Sequence, residues 1–184
     1  YRQAQDLIKQ SRAHNLLGGV RLELGQYPDA EDHFEEALKL SRTAADRIGE
    51  AMELANLGQL YGKQGDYGRE RAYLLESLPI AQNSSEPRMY AKSLCDLGFN
   101  SYLLGEYTPA RDLYERSLAI LRAGGDRAWE AETLVKLSLL LHRLGNLTQA
   151  RRECEQALTI SRSIDHREYQ GMALTQLGHL AAAE

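Results

Sequence analysis

An all-α fold, a row of helix-turn-helix repeats stacked as an α-solenoid, is the class this sequence predicts, and three observations predict it. The chain matches itself when displaced by 40 residues: Leu17-Gly18 returns as Leu57-Gly58, Leu97-Gly98 and Leu177-Gly178, with Leu137-Ser138 in the remaining place. A fixed period of ~20–50 residues marks repeat architectures, in which each repeat buries its apolar face against the next. A second glycine recurs at Gly25, Gly65, Gly105 and Gly145, followed two residues on by Tyr27, Tyr67, Tyr107 and Leu147. A helix stops most cheaply on a left-handed residue without a Cβ, so each of these glycines divides its repeat into two helices. The third observation is a helical period. Leu54, Leu57, Gly58 and Tyr61 fall at i, i+3, i+4 and i+7, one apolar stripe, which returns as Leu94, Leu97, Gly98 and as Leu134, Leu137, Leu141. The second helices carry their own stripe, in Ala30, Phe34, Ala37, Leu38 and in Ala110, Tyr114, Ser117, Leu118. Repeats over residues 11–50, 51–90, 91–130 and 131–170, with a half repeat at 171–184, give about nine helices in a single domain over 1–184.

In order along the chain, residues 1–24 predict a connector and the first helix. Its partner runs from Pro28 to Thr43, with an acidic solvated face in Glu31, Asp32, Glu35 and Glu36. Further helices start near Asp46, Gly68, Ser85, Thr108, Asp126, Thr148 and Asp165, with Thr108-Pro109 and Thr148 reading as N-cap and first-turn residues. A glycine within a helix costs about 1 kcal/mol relative to alanine. Its return in the Leu-Gly pair therefore predicts close approach of the partner helix, against Ala30, Ala110 or Ala150, twelve positions later. The second repeat is the least regular: Glu70 takes the place of that alanine, and Pro79 is expected to shorten or distort its helix. Leu57, Leu74, Leu97, Tyr114, Leu137 and Cys154 are the expected core.

Composition narrows the function. A net charge of −4 argues against a nucleic-acid surface, which is usually strongly basic. No apolar run is long enough for a membrane span, and the polar start is no signal peptide. The two cysteines, Cys95 and Cys154, lie on different helices, and Cys154 holds the slot of Phe34, Leu74 and Tyr114, so both read as reduced, in a cytoplasmic protein. No phosphate loop, HExxH, CxxC pair or GxSxG elbow is present. None of the five histidines stands three or four residues from another histidine or a cysteine. The expectation is no enzyme, no cofactor and no metal.

The pattern Leu-Gly, Tyr, Gly, Tyr, Ala, Phe/Tyr, Ala-Leu resembles the tetratricopeptide repeat, over residues 11–184. The standard repeat has about 34 residues, and here the additional ones fall after the second helix, as at Ser41 to Glu50, so longer helices are expected. This long variety is similar to the repeats of kinesin light chains, Leu-Gly-Asn scaffold proteins, bacterial peptide-pheromone receptors and the sensor arms of bacterial NTPase-linked transcription regulators. The resemblance implies a right-handed superhelix whose first helices line a concave groove. Carried over position by position, it implies that Asn56, Gln59, Lys63, Lys92, Asp96, Phe99, Lys136, His142 and Arg143 face that groove. Asn56 matches an asparagine that binds a peptide backbone in related scaffolds, whereas Leu16, Asp96, Lys136 and Gln176 depart from it. The chaperone-tail carboxylate clamp is missing, its asparagine position holding Gly19, Gln59, Phe99, Leu139 and His179.

The implied function is a protein–protein interaction module that takes a peptide or helical segment, as the sensor or scaffold arm of a bacterial signalling or transcription regulator. The alternative is an architectural or self-associating solenoid with no peptide ligand. The stop at Glu184, within a fifth repeat, reads as a piece of a larger protein. It leaves the stripe Leu174, Leu177, Gly178 and Ala181 for a second copy to cover, hence a possible homodimer through the C-terminal helices.

Overall fold

The left-handed glycines set the architecture. The computed structural model describes residues 2–183, and Tyr1 and Glu184, the outer limits of the expected first helix and half repeat, lie outside the described residues. Among the described residues there are nine helices and no strand: α1 Arg2–Glu23, α2 Tyr27–Thr43, α3 Arg47–Lys63, α4 Tyr67–Gln82, α5 Pro87–Leu103, α6 Tyr107–Gly124, α7 Arg127–Arg143, α8 Leu147–Ser163 and α9 Arg167–Ala182. From α2 onward the helices begin at residues 27, 47, 67, 87, 107, 127, 147 and 167, one every 20 residues. The longer repeat is thus absorbed by longer helices, and the connector between repeats is as tight as the turn within one.

Both kinds of turn use the same backbone device, except the α4–α5 connector, where Ser85 is not left-handed. Gly25, Gly65, Gly105 and Gly145 have φ between +70° and +81°, and the equivalent places between repeats hold Ala45 (φ 55°), Gly125 (φ 70°) and Asp165 (φ 51°). Around Ala45, Ala45 N–H donates to the Arg42 carbonyl at 3.1 Å and Asp46 N–H to the Ser41 carbonyl at 2.9 Å, a Schellman closure. Alanine carries a Cβ into this left-handed conformation, at a cost of ~1–2 kcal/mol. Ala45→Gly is therefore expected to raise stability by about 0.5–1 kcal/mol once the looser unfolded chain is counted, read as a higher thermal midpoint. An unchanged or lower midpoint would show that Ala45 sits there without strain.

The starts of α3, α4, α7 and α8 are fixed by side-chain caps, though not by the expected threonines. Asp46, Asp66, Asp126 and Asn146 accept from the backbone N–H three residues on, at 3.0–3.4 Å. Glu106 and Asn146 hold the N-cap places, so Thr108 and Thr148 lie inside the first turn. The N-cap place falls on the residue directly before the aromatic or Leu: from it Asp66 and Asn146 reach back to an orphan N–H, whereas Gln26 and Glu106 make no side-chain cap bond. Pro79 does not break α4, which runs unbroken to Gln82. It removes one N–H, and the helix ends one residue earlier than the 40-residue period from Thr43 would place it.

Contacts divide the chain into two compact units, one up to Met89 holding α1–α4 and one from Tyr90 holding α5–α9. In the first, Leu22, Ala30, Phe34 and Leu38 of α1 and α2 pack with Leu54, Leu57, Leu60 and Tyr61 of α3. In the second, Ala110, Tyr114 and Leu118 of α6 pack with Cys95, Leu134, Leu137 and Leu141, and Cys154 and Leu158 of α8 continue the same core. Leu57, Leu74, Leu97, Tyr114, Leu137 and Cys154 are all buried, as expected. Between successive repeats a buried glutamate latches onto two arginines: Glu50 onto Arg42 and Arg47, and Glu130 onto Arg122 and Arg127.

Gly18, Gly58 and Gly98 of the Leu-Gly pairs do meet the partner helix closely, but against its large residue as well as its backbone, whereas a Cβ on Gly178 would meet nothing within 4 Å. A Cβ on Gly18 would stand 2.7 Å from the Phe34 ring, one on Gly98 would stand 2.9 Å from that of Tyr114, and one on Gly58 would stand 3.3 Å from the Glu70 carbonyl and 3.4 Å from Leu74. The facing side chain lies sixteen positions on, where the alanine twelve positions on had been expected. In the fourth repeat Ser138 replaces the glycine, Cys154 replaces the aromatic, and Ser138 Oγ donates to the Ala150 carbonyl at 2.7 Å. Volume is exchanged across the contact: a smaller knob accompanies a larger floor.

Candidate functional site

The 40-residue period puts equivalent residues of neighbouring first helices side by side, and at two such levels the side chains are charged. Lys92 and Asp96 on α5 stand beside Glu132 and Lys136 on α7, with the signs exchanged from one helix to the next. The four close into a ring. Lys92 Nζ lies 2.6 Å from Asp96 and 3.2 Å from Glu132, and Lys136 Nζ lies 2.7 Å from Glu132 and 3.3 Å from Asp96. Tyr169 of α9 donates its hydroxyl to Glu132 at 3.2 Å, and Lys136 Nζ lies 5.3 Å above the Phe99 ring. The side chains of Glu132 and Lys136 are each 11% exposed and those of Lys92 and Asp96 29% and 23%, so the α7 half of this net-neutral network is nearly dry and the α5 half reaches solvent.

Its electrostatics follow from burial and pairing. Burial alone would raise the Glu132 carboxyl, but the ammonium groups of Lys136 and Lys92 win and hold it at about 2. Burial likewise opposes the charge on Lys136, which the neighbouring acidic groups overcome, leaving it well above its ordinary value. Burial and the Glu132 charge push the Tyr169 phenol up. Because the Glu132 carboxyl falls from 4.5 to about 2 on folding, its stabilisation is fully present above pH 4.5 and is lost as the pH falls toward 2. Thermal midpoints measured across that window are expected to fall more steeply for the parent than for Glu132→Gln. Parallel slopes would mean that Glu132 titrates as a solvated carboxylate.

The same corner brings Cys95 Sγ, an Asp96 oxygen and a Glu132 oxygen within 4.8 Å of one another. The lysines already bridge both carboxylates, and burial pushes the Cys95 thiol up, so the group holds neither an open cation position nor a poised nucleophile.

Beside the ring lies an aromatic run. Phe99 and Tyr102 stack at 6.0 Å, Tyr102 and Tyr107 meet at 6.1 Å, and Arg143 Nε donates to the Tyr107 hydroxyl at 3.3 Å. Further along α7, His142 Nδ1 lies 3.5 Å from Gln176 Nε2 of α9. Lys92, Asp96, Phe99, Lys136, His142 and Arg143 thus belong to the second unit, on or beside one wall formed by α5, α7 and α9.

Asn56, Gln59 and Lys63 belong to α3 in the first unit. Lys63 is ion-paired with Glu23 of α1 at 2.9 Å, and Gln59 is exposed. Asn56 Nδ2 donates to Glu53 at 3.2 Å, and Asn15 Nδ2 donates to both oxygens of Glu53 at 2.8 Å. Glu53 is a buried carboxylate whose pKa burial raises while the two amides pull it down. Sequence reading missed it, although a signal was present: the equivalent places hold Ala13, Ser93, Thr133 and Ala173, all smaller than glutamate. Tyr169 was also missed. Its equivalents Gly49, Met89 and Trp129 share no chemistry that would have singled it out.

Comparison with known proteins agrees with this architecture. The tetratricopeptide repeat model matches residues 9–83 and 89–163. No curated protein matches the sequence significantly. Among solved structures, aspartyl phosphate phosphatase F from Bacillus subtilis superposes with a TM-score of 0.81 at 12% identity, over 92% of this chain and 44% of its own. The Rap conjugation gene regulator of the plasmid pLS20, solved with the Phr peptide, gives 0.81 at 18% identity, over 90% of this chain and 46% of its own. A signal transduction ATPase with a tetratricopeptide repeat sensor from Pyrococcus horikoshii gives 0.73 at 16% identity, over 90% of this chain and 26% of its own. The chain therefore spans less than half the length of each of these three proteins. Matched over both halves by the repeat model and folded as paired helices at its period, the chain belongs to the tetratricopeptide repeat family.

Proposed function

We propose that this chain is a protein–protein interaction module that binds a peptide or helical segment along its first helices, as the sensor or scaffold arm of a bacterial signalling or transcription regulator. The observation that carries the reading is the wall of α5, α7 and α9, where half-buried Phe99, Tyr102 and Tyr107 adjoin a charge network already satisfied within the protein. Such a wall can dock an apolar anchor without stranding a charge. Support comes from the plasmid Rap regulator, which shares this fold and was solved holding a peptide. Asn56, Gln59 and Lys63 offer a second set of polar contacts on the first unit. Lys92 and Lys136 face carboxylates, and Lys63 does too, so recognition rests on shape and hydrogen bonding more than on a basic field. Buried free Cys95 and Cys154 fit a reducing cytoplasm, and among the described residues no helix is long and apolar enough to cross a membrane.

A peptide-array screen supplies the probe, and Phe99→Ala supplies the test. Truncating an aromatic anchor is expected to weaken a selected peptide by about tenfold or more. Equal binding by the parent and Phe99→Ala excludes this wall. The competing self-associating reading has its own observation: Leu174 is 51% exposed, and Gly178 and Ala181 beside it are exposed. Light scattering on the chain and on Leu174→Ser/Leu177→Ser separates the two. A dimer lost on double substitution favours self-association through α9, and a monomer at all concentrations removes it.

A further inference from the structure

His14 lies on α1 and His33 on α2, and both are half-buried. Their Nδ1 atoms face each other at 3.1 Å, with ring centroids 5.2 Å apart and planes tilted by 54°. One nitrogen must donate and the other accept, so at least one ring is neutral. Two imidazole nitrogens bound to one ion at ~2.0–2.1 Å stand ~3.3 Å apart at a tetrahedral angle and ~2.9 Å apart at a right angle. The observed 3.1 Å falls between these two bidentate separations.

We propose that His14 and His33 form a binding site for a divalent late transition metal, zinc or nickel, that clips the first helical hairpin. On binding, the donor ring moves its proton from Nδ1 to Nε2, and both Nδ1 lone pairs turn onto the ion that replaces the bridging hydrogen. Water fills the remaining positions. Imidazole donors suit zinc, copper and nickel, whereas magnesium and calcium take oxygen ligands, so the pair selects the former. The folded hairpin holds the two ligands together and the unfolded chain does not, so an ion that binds here stabilises the fold. The site is separate from the wall proposed for peptide binding and does not depend on that reading.

The test uses the unmodified chain and zinc chloride alone. Imidazole resonances of His14 and His33 are expected to move together and saturate at one equivalent, while those of His142, His166 and His179 stay in place. The thermal midpoint is expected to rise by several degrees and to return on adding EDTA. His14→Asn and His33→Asn should each lose that rise, and His179→Asn should keep it. Stationary His14 and His33 resonances at millimolar zinc, or an equal rise in the His33→Asn variant, would overturn the proposal.

Discussion

Replacing Lys136 by methionine is expected to destabilise the second unit by about 3 kcal/mol, because it removes one member of a buried charge ring and keeps the others. Methionine preserves the length and apolar stem of the side chain, so the loss isolates the ammonium. What remains is Glu132, 11% exposed, with only Lys92 and the Tyr169 hydroxyl to compensate it, while Asp96 loses its second cation. Adding Glu132→Gln restores neutrality, since one lysine and one carboxylate then remain. The double variant should accordingly be more stable than the sum of the two single losses by at least about 1 kcal/mol in a double-mutant cycle. Denaturant melts of the four proteins measure this. A Lys136→Met variant within about 0.5 kcal/mol of the parent would mean that the ring is screened by solvent like an ordinary surface pair.

The second large effect is steric. Gly98→Leu is expected to destabilise by about 3 kcal/mol, through overpacking that the backbone must relieve. The Cβ alone would stand 2.9 Å and 3.0 Å from two Tyr114 ring atoms and 3.3 Å from Leu113 Cβ, so the rest of a leucine has nowhere to go without moving α6. Gly124 provides the opposite case at the end of α6, where a Cβ meets nothing within 4 Å. There Gly124→Ala should stabilise by about 0.5–1 kcal/mol, through helix propensity alone. The fourth repeat indicates a rescue, since it already pairs Ser138 with Cys154 where the third pairs Gly98 with Tyr114. Gly98→Ser should lose stability, and Gly98→Ser/Tyr114→Cys should recover part of it. If Gly98→Leu and Gly124→Ala give thermal midpoints within a degree or two of each other, close approach is not why glycine stands at 98.

The helices were legible because their determinants are local and repeated. A glycine able to take a positive φ, an aromatic two residues on and a stripe at i, i+3, i+4 say where one helix stops and the next begins, whatever the chain packs against. The misreadings were also local. Thr108 and Thr148 were natural caps by residue type, but Glu106 and Asn146 stand at the geometry that the turn requires. Pro79 shortens α4 as expected, but by one residue only, because a single ladder bond is lost in a helix held on its other face by Leu74, Ser77 and Ala81.

Period, pairing of helices, core stripe and repeat family were therefore determined by the sequence alone, because each rests on spacings of a few residues or on one register repeated along the chain. Which charges meet was decided only by tertiary structure. Lys92 and Lys136 each have a carboxylate four residues away on their own helix, Asp96 and Glu132, but the ring closes only because residues 40 apart become neighbours when first helices stack, which gives each lysine a second carboxylate from the adjoining helix. Glu53 meets Asn15 across 38 residues, and His14 meets His33 across 19, by the same route. A helix presents a side chain to a partner only after both have been placed, and an interaction that falls off over a few ångströms leaves no mark on a sequence until that placement is made.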